Sequence, residues 1–399
     1  MVNTFHYFLF YLLLKQYICS LFEKTNTIRY LSIKKIMSSY NIRLYYRYNQ
    51  AKYFELNLQS NFSYATKHYY VRSTTISDEM KSISSSLMYS NRSYAYINMS
   101  DVFEQRLNDD DTNSFNISFY YFYEDFPKYD SLSFALYTID PHLNLINNLY
   151  DNNQIKYKGF GIYLEDLDSS NNDKIYLSSF PSKYTLNKQL SKIKVDVPSN
   201  SWAIKLNSIS FGNSSLIKHS IPIEQIAYFQ LKVAEFYAPY SFFKELINFI
   251  SNNVHNVSCR LNAYYDGEMF CNSSDAFKLI GDLVFHVNNN TDKIVIPNKR
   301  LYKCDHEIIC YLNIKQMKGD KDTMNYWMFD NQILHLYNVY FDSVNKEISF
   351  YKKSTFNAYD FALYGNYVLL LISIIFLMSV YFHMKNNKTY LTSLFNVNK

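Results

Sequence analysis

Apolar and polar residues alternate one by one along Tyr53-Phe54-Glu55-Leu56-Asn57-Leu58, the period of a half-buried β-strand. Strand patterns of this kind dominate from Phe160 to Tyr351. One segment there breaks the rule: Phe242, Phe243, Leu246, Ile247 and Ile250 recur at helical spacing and predict a helix over Tyr240–Ile250. Two apolar runs frame the chain. Phe5–Leu14 is too short to cross a bilayer and precedes Tyr17-Ile18-Cys19-Ser20, where a small residue is available for cleavage. Residues 1–20 therefore read as a secretory signal peptide, although Lys15 interrupts the run and no basic stretch precedes it. The alternatives are a buried N-terminal strand and an uncleaved anchor. Leu363–Phe382 supplies about the twenty apolar residues that a membrane-spanning helix needs. His383, Lys385 and Lys388 follow it, which places 383–399 in the cytosol and predicts a single-pass type I protein.

Composition narrows the class. A chain of 399 residues can hold two domains and bury a sizeable core. With 48% hydrophobic and 19% charged residues it is a folding sequence. The net charge of +5 is spread without a basic stripe, which argues against a nucleic-acid partner. The 41 Tyr and 31 Phe are best read as the codon bias of an A+T-rich genome. Cys19 falls in the signal region, leaving Cys259, Cys271, Cys304 and Cys310 as an even set in one region, as expected of disulfides in an oxidising compartment. A zinc site would want C-x-x-C or paired histidines, and neither occurs. No metal and no cofactor is expected. Sequons at Asn61, Asn91, Asn98, Asn116, Asn213, Asn256, Asn272 and Asn289 permit glycosylation, but a chain so rich in Asn, Ser and Thr produces many by chance.

Several runs carry a family resemblance. Ala227–Pro239 reads A-Y-F-Q-L-K-V-A-E-F-Y-A-P. Trp327–Phe350 reads W-M-F-D-N-Q-I-L-H-L-Y-N-V-Y-F-D-S-V-N-K-E-I-S-F. Upstream lie Trp202-Ala203-Ile204-Lys205-Leu206-Asn207-Ser208-Ile209 and Phe160-Gly161-Ile162-Tyr163-Leu164. Together they resemble the C-terminal half of the pepsin-like aspartic proteases. The second run keeps Trp327, Leu334, Tyr337, Val339, Phe341, Asp342, Asn345 and Ile348 and departs at Asp330, Asn331 and His335, where the family has Gly, Asp and Arg. The resemblance implies a mainly β, bilobal pepsin-like fold with a reduced N-terminal lobe, followed by the transmembrane helix. It divides the chain into a leader or pro-segment at 21–49, a divergent N-terminal lobe at 50–158 and a C-terminal lobe at 159–355. Cys271 and Cys304 bracket a segment like the family's C-lobe disulfide loop, which implies a Cys271–Cys304 bridge nested within Cys259–Cys310.

The same resemblance puts Gln230-Leu231-Lys232 where the family has its second Asp-Thr-Gly. Counting on from Tyr53, it puts Val71-Arg72-Ser73-Thr74-Thr75 at the first. Asp130–Leu136 takes the place of the family's Asp-Gly-Ile-Leu-Gly-Leu. The first glycine of the chain is Gly159, so no N-lobe position that uses glycine in a working enzyme has it here. Asp78 is the nearest acid after Val71, and Asp109-Asp110-Asp111 reads as a solvated loop tip. Aspartic proteolysis needs two carboxylates that share one proton and one water. Loss of the acid, the hydroxyl and the glycine together predicts a catalytically inactive, membrane-anchored pseudopeptidase that binds peptide or protein in a residual cleft. The alternatives are an active aspartic endopeptidase whose acids lie elsewhere, and a surface adhesin or receptor.

Overall fold

The computed structural model describes residues 30–36, 39–46, 50–58, 63–66, 81–84, 93–108, 111–122, 131–136, 143–165, 173–181, 189–195, 201–212, 219–231, 236–262, 267–305, 309–317, 326–353, 369–383 and 385. Strands β1 (Tyr30–Ile36), β2 (Ser39–Tyr46), β3 (Gln50–Asn57), β4 (Tyr64–Thr66), β5 (Lys81–Ser84), β6 (Ser93–Asn108), β7 (Asp111–Phe122) and β8 (Ser131–Ser133) build the N-terminal lobe with helix α1 (Leu145–Asp151). Strands β9 (Gly159–Tyr163), β10 (Lys174–Leu177) and β11 (Gln189–Lys194) join the lobes. The C-terminal lobe begins with β12 (Ala203–Phe211), β13 (His219–Phe229) and β14 (Phe236–Ala238), followed by helix α2 (Tyr240–Asn253). It continues through β15 (Cys259–Asn262), β16 (Glu268–Cys271), α3 (Asp275–Ile280), β17 (Leu283–Val287), β18 (Asp292–Ile296) and α4 (Asn298–Leu301). It ends with β19 (Tyr302–Asp305), β20 (Ile309–Gln316), β21 (Tyr326–Phe329) and α5 (Asn331–Leu336), and β22 (Tyr337–Asp342) and β23 (Glu347–Lys352) return to the junction.

Two sheets result. The larger runs β11-β23-β22-β9-β10-β1-β2-β3-β8-β4-β7-β6-β5, so one hydrogen-bonded surface passes from the junction into the N-terminal lobe. The smaller runs β15-β16-β20-β14-β21-β13-β12-β17-β18, with β19 beside β20. In β2 the apolar residues Tyr40, Ile42 and Leu44 are buried on one face, and on the other Arg43 is exposed while Asn41 is buried with its amide donating to the Ser39 carbonyl. The helix expected over Tyr240–Ile250 is α2, which buries Phe242, Phe243, Leu246 and Ile250. Strands β1 and β2 lie inside the stretch expected to be a leader or pro-segment. They are part of the sheet, and Leu31 and Ile33 are buried.

Aromatic side chains do the packing at the junction. Trp202 meets Phe160 and Phe341 edge-on, at centroid separations of 5.7 and 5.0 Å. Its indole N–H donates to the Phe134 carbonyl at 2.7 Å, tying the two lobes together.

The disulfide pairing differs from the nested expectation. Cys259 is bonded to Cys271, and Cys304 to Cys310. Register is the reason: Cys259 lies opposite Cys271 in the β15–β16 pair, and Cys304 opposite Cys310 in the β19–β20 pair. Strand β20 stands between β16 and β19 and separates Cys271 from Cys304.

The signal-peptide region lies outside the described residues, as does the start of the Leu363–Phe382 run. Residues 369–383 are helical and expose Leu370, Ile374, Phe376, Leu377 and Phe382. Among the described residues no helix is long and apolar enough to cross a membrane. Of the sequons, Asn256, Asn272 and Asn289 are exposed. Asn61, Asn91 and Asn213 fall outside the described residues, and Asn98 and Asn116 lie in β6 and β7.

Gly161, in the middle of the junction sheet, has no room for a side chain. A Cβ there would come within 2.2 Å of the Phe180 ring. Gly161→Ala is expected to destabilise the protein by about 1–3 kcal/mol in thermal or denaturant unfolding. Adding Phe180→Ala should recover part of that loss; an additive pair of penalties would show the clash to be misplaced.

Candidate active-site remnant

Strand β13 delivers Gln230. Ala227, Phe229 and Leu231 face the core, whereas Ile226 and Tyr228 are half-buried on the other face, and Gln230 shares their parity. Its backbone N–H donates to the Phe329 carbonyl at 2.9 Å, continuing the parallel β13–β21 pairing past the strand end. The residue is 4% exposed. Lys232 lies outside the described residues.

The structure contains the same three-strand unit twice. In the C-terminal lobe, β21 is inserted between β13, with which it is parallel, and β14, with which it is antiparallel. In the N-terminal lobe, β8 is inserted between β3, parallel, and β4, antiparallel. The registers superimpose. Tyr237 opposes Met328 and Tyr64 opposes Ser131, so Met328 corresponds to Ser131 and Phe329 to Leu132. Phe229 opposes Phe329 and Leu56 opposes Leu132. The residue after each is therefore equivalent: Gln230 corresponds to Asn57, and Leu231 to Leu58. The chain from Asn57 to Tyr64 is as long as that from Gln230 to Tyr237, and both arrive at Tyr-Ala.

This equivalence moves the first candidate position. The count from Tyr53 had led to Val71, which lies outside the described residues, as does Asp78. The lobe symmetry selects Asn57, half-buried on the face of β3 opposite Phe54, Leu56 and Leu58. Counting on from Tyr53 passes it by, because no Asp-Thr-Gly marks the turn after β3. The repeated Asn-Leu and Gln-Leu steps before Tyr-Ala were the available signal.

The correspondence extends to the turns that follow the inserted strands. Ser133 and Asp330 are equivalent, and both are fully buried. Ser133 Oγ accepts the Ala135 N–H at 3.1 Å, and Asp330 Oδ1 accepts the Gln332 N–H at 2.8 Å, capping α5. Each side chain folds back on its own backbone two residues ahead. Leu58 and Leu231, 1% and 2% exposed, belong to one hydrophobic core that runs through both lobes. They are apolar where the family's threonines carry hydroxyls. The arrangement thus offers two carboxamides and an apolar support. A carboxamide donates and accepts hydrogen bonds but does not exchange a proton near neutral pH.

A fold of this kind, with a duplicated inserted-strand unit and a shared junction sheet, is that of the aspartic proteases. The family model for eukaryotic aspartyl proteases matches residues 131–353, more than half of the chain. The chain belongs to that family. Among solved structures it is similar to the aspartic proteinase from Irpex lacteus, with a TM-score of 0.62 and 14% sequence identity, covering 82% of this chain and 98% of that one. At that identity the likeness concerns the fold. Comparison with curated proteins gives no match.

Beside α5 lies a buried polar cluster that the sequence did not reveal. His335 stands where the family has Arg. Its Nδ1 donates to the Glu165 carbonyl, so Nε2 accepts from the Tyr40 hydroxyl at 3.3 Å, a contact from the α5 side to β2. Lys353 Nζ donates to the carbonyls of Leu164, Leu334 and His335. Asp173 accepts the Glu165 N–H at 2.6 Å. Burial, aided by the Lys353 charge, lowers the His335 pKa from 6.5 to about 4, with smaller contributions from Arg300 and Lys35. Burial raises the Asp173 carboxyl from 3.8 to about 6, against the Glu165 N–H and Lys353. Burial likewise raises the Tyr40 hydroxyl, helped by Asp173 and Asp330.

The signs of the two shifts oppose. Neutral His335 contributes stability that is present above pH 6.5 and lost as the pH falls toward about 4. Neutral Asp173 contributes stability that is present below pH 3.8 and lost as the pH rises through about 6. In thermal melts at pH 4.5 and 7.5, His335→Gln should gain stability at acid pH relative to the parent. Asp173→Asn should lose it. Identical pH profiles for the two variants would contradict the assignment.

Proposed function

We propose that this protein is a membrane-anchored pseudopeptidase of the secretory pathway, which holds an extended peptide or protein segment in its cleft without cleaving it. The observation that carries the reading is the amide pair: Asn57 and Gln230 occupy the equivalent positions of the two inserted-strand units. An aspartic peptidase needs one carboxylate as base and a protonated partner as acid, and two carboxamides supply neither. The paired leucines below them argue in the same direction, since both lobes have lost the hydroxyl as well as the acid. Extended peptides can be held by main-chain hydrogen bonds, a mode that requires no titrating group.

Two features support the location. The two disulfides suit an oxidising compartment. The helix at 369–383 exposes apolar side chains all round, which in water would be costly, and its sequence continues apolar back to Leu363. Deleting 363–399 should release the ectodomain from carbonate-washed membranes; retention of the truncated chain would place the anchor elsewhere.

The rival reading is an active endopeptidase with its acids in other positions. Digestion of a peptide library from pH 3 to pH 7, followed by mass spectrometry, separates the two. The purified protein should leave the library intact. Cleavage that is blocked by a pepstatin-like inhibitor would overturn the reading. Gln230→Asp alone should also be inactive, because Asn57, Leu58 and Leu231 are unchanged.

A further inference from the structure

The junction strands β11, β23, β22, β9, β10 and β1 lie side by side, about 24 Å across at the usual strand spacing. Side chains alternate between the two faces of this sheet. Phe160, Ile175, Phe341 and Phe350 point inward and are fully buried in the core. The outer face is aromatic as well. Tyr30 opposes Tyr176, Tyr176 opposes Gly161, and Gly161 opposes Tyr340. Tyr163 and Tyr351 share that face by parity. Phe180 lies over Gly161 and meets the rings of Tyr176, Tyr340 and Tyr351 at centroid separations of 5.6, 6.4 and 6.3 Å. Tyr30, Tyr163, Phe180, Tyr340 and Tyr351 are all partly exposed.

Lysines surround these rings. Lys34, Lys192 and Lys194 are exposed on the same face, and Lys174 Nζ sits 4.5 Å from the Tyr30 ring centroid. The acids of the face are engaged locally. Glu347 pairs with Lys192 and Lys194 at 2.5 and 3.3 Å, and Asp342 accepts the Val344 and Asn345 N–H groups in the turn after β22. Tyrosine rings among lysines are the side chains that favour a membrane–water interface, with an apolar body and a polar tip. The chain also leaves this sheet at a fixed place. Lys353, just after β23, donates its Nζ to the carbonyls of Leu164, Leu334 and His335. Nine residues, 354–362, separate it from the apolar run that starts at Leu363. Fully extended, such a segment reaches about 30 Å. A tether that short holds the face at high effective concentration beside the bilayer, so weak contacts from each side chain suffice.

We propose that the outer face of the junction sheet lies on the surface of the bilayer, with its aromatic rings at headgroup depth and its lysines against lipid phosphates. The proposal rests on the reading of 363–382 as the anchor. It also fixes how the molecule stands. Phe229 packs against Phe341 and Phe350 of the inner face, at 5.6 and 6.0 Å between ring centroids. Gln230 has the opposite parity and points away from the junction sheet. Docking by the outer face therefore turns the Gln230 position away from the lipid, where an extended segment can reach it from the aqueous side.

The test uses the full-length protein in phosphatidylcholine nanodiscs that contain a lipid with a photoactivatable diazirine on its headgroup. After illumination, lipid adducts are mapped by mass spectrometry. Peptides carrying Tyr163, Phe180, Lys194 and Tyr351 should bear adducts, whereas the peptide carrying Tyr240, exposed on α2, should bear none. A second arm inserts about twenty Gly and Ser residues into 354–362; a face that binds lipid keeps its adducts on the longer tether. Loss of those adducts in the lengthened chain would show mere proximity and overturn the proposal. Adducts confined to 363–382 and its flanks would overturn the proposal and leave the anchor reading standing, and they are also the result expected if this chain's own residues cover the face. Adducts spread evenly over the ectodomain, Tyr240 included, would overturn it as well. A chain that does not co-purify with the nanodiscs would overturn the anchor reading and the proposal together.

Discussion

Everything at the centre of this molecule depends on a strand hydrogen-bonded between two strands that are consecutive in the chain. Strand β21 lies between β13 and β14, and β8 lies between β3 and β4. Because the joined strands cannot pair with each other, the chain between them must cross over the end of the inserted strand. Register then leaves no freedom. Fixing Tyr237 against Met328 and Phe229 against Phe329 fixes which residue sits at the turn, and the N-terminal lobe repeats the arrangement with Tyr64, Ser131, Leu56 and Leu132.

This constraint supports the proposed reading, because it lets the frame persist whatever side chains stand at the two turns. The backbone geometry at Asn57 and Gln230 is held by main-chain hydrogen bonds, which are indifferent to the side chain carried there. Leu58 and Leu231 replace polar contacts with core packing. Ser133 and Asp330 satisfy their own turns, so side chains can stand where the family has glycine. The substitutions are concerted between the lobes, amide with amide and leucine with leucine.

The C-terminal lobe was largely legible in the sequence. The Trp327–Phe350 run became β21, α5, β22 and β23 without interruption, and Gln230 emerged at the end of a strand. The N-terminal lobe was legible only as strands, because the turn after β3 carries neither a glycine nor an acid to mark it. Counting residues from Tyr53 therefore overshot Asn57, although the strand that ends at Asn57 had itself been recognised. Cysteine pairing was out of reach for a related reason. The family resemblance implied Cys271 with Cys304, whereas pairing across strands is decided by register, which a sequence of this composition does not display. The cluster of Asp173, His335 and Lys353 is assembled from three separate strand and helix ends, and no local pattern announces it.

The central claim is that Asn57 and Gln230 are the paired remnants of the two active-site positions. A crystal structure of the ectodomain, refined far enough to orient the side-chain amides, tests it most directly. The account predicts that Asn57 and Gln230 converge from the two lobes on the floor of one cleft, with Leu58 and Leu231 packed beneath them. A carboxylate facing Gln230 from the N-terminal lobe, whether Asp78 or another, would contradict it.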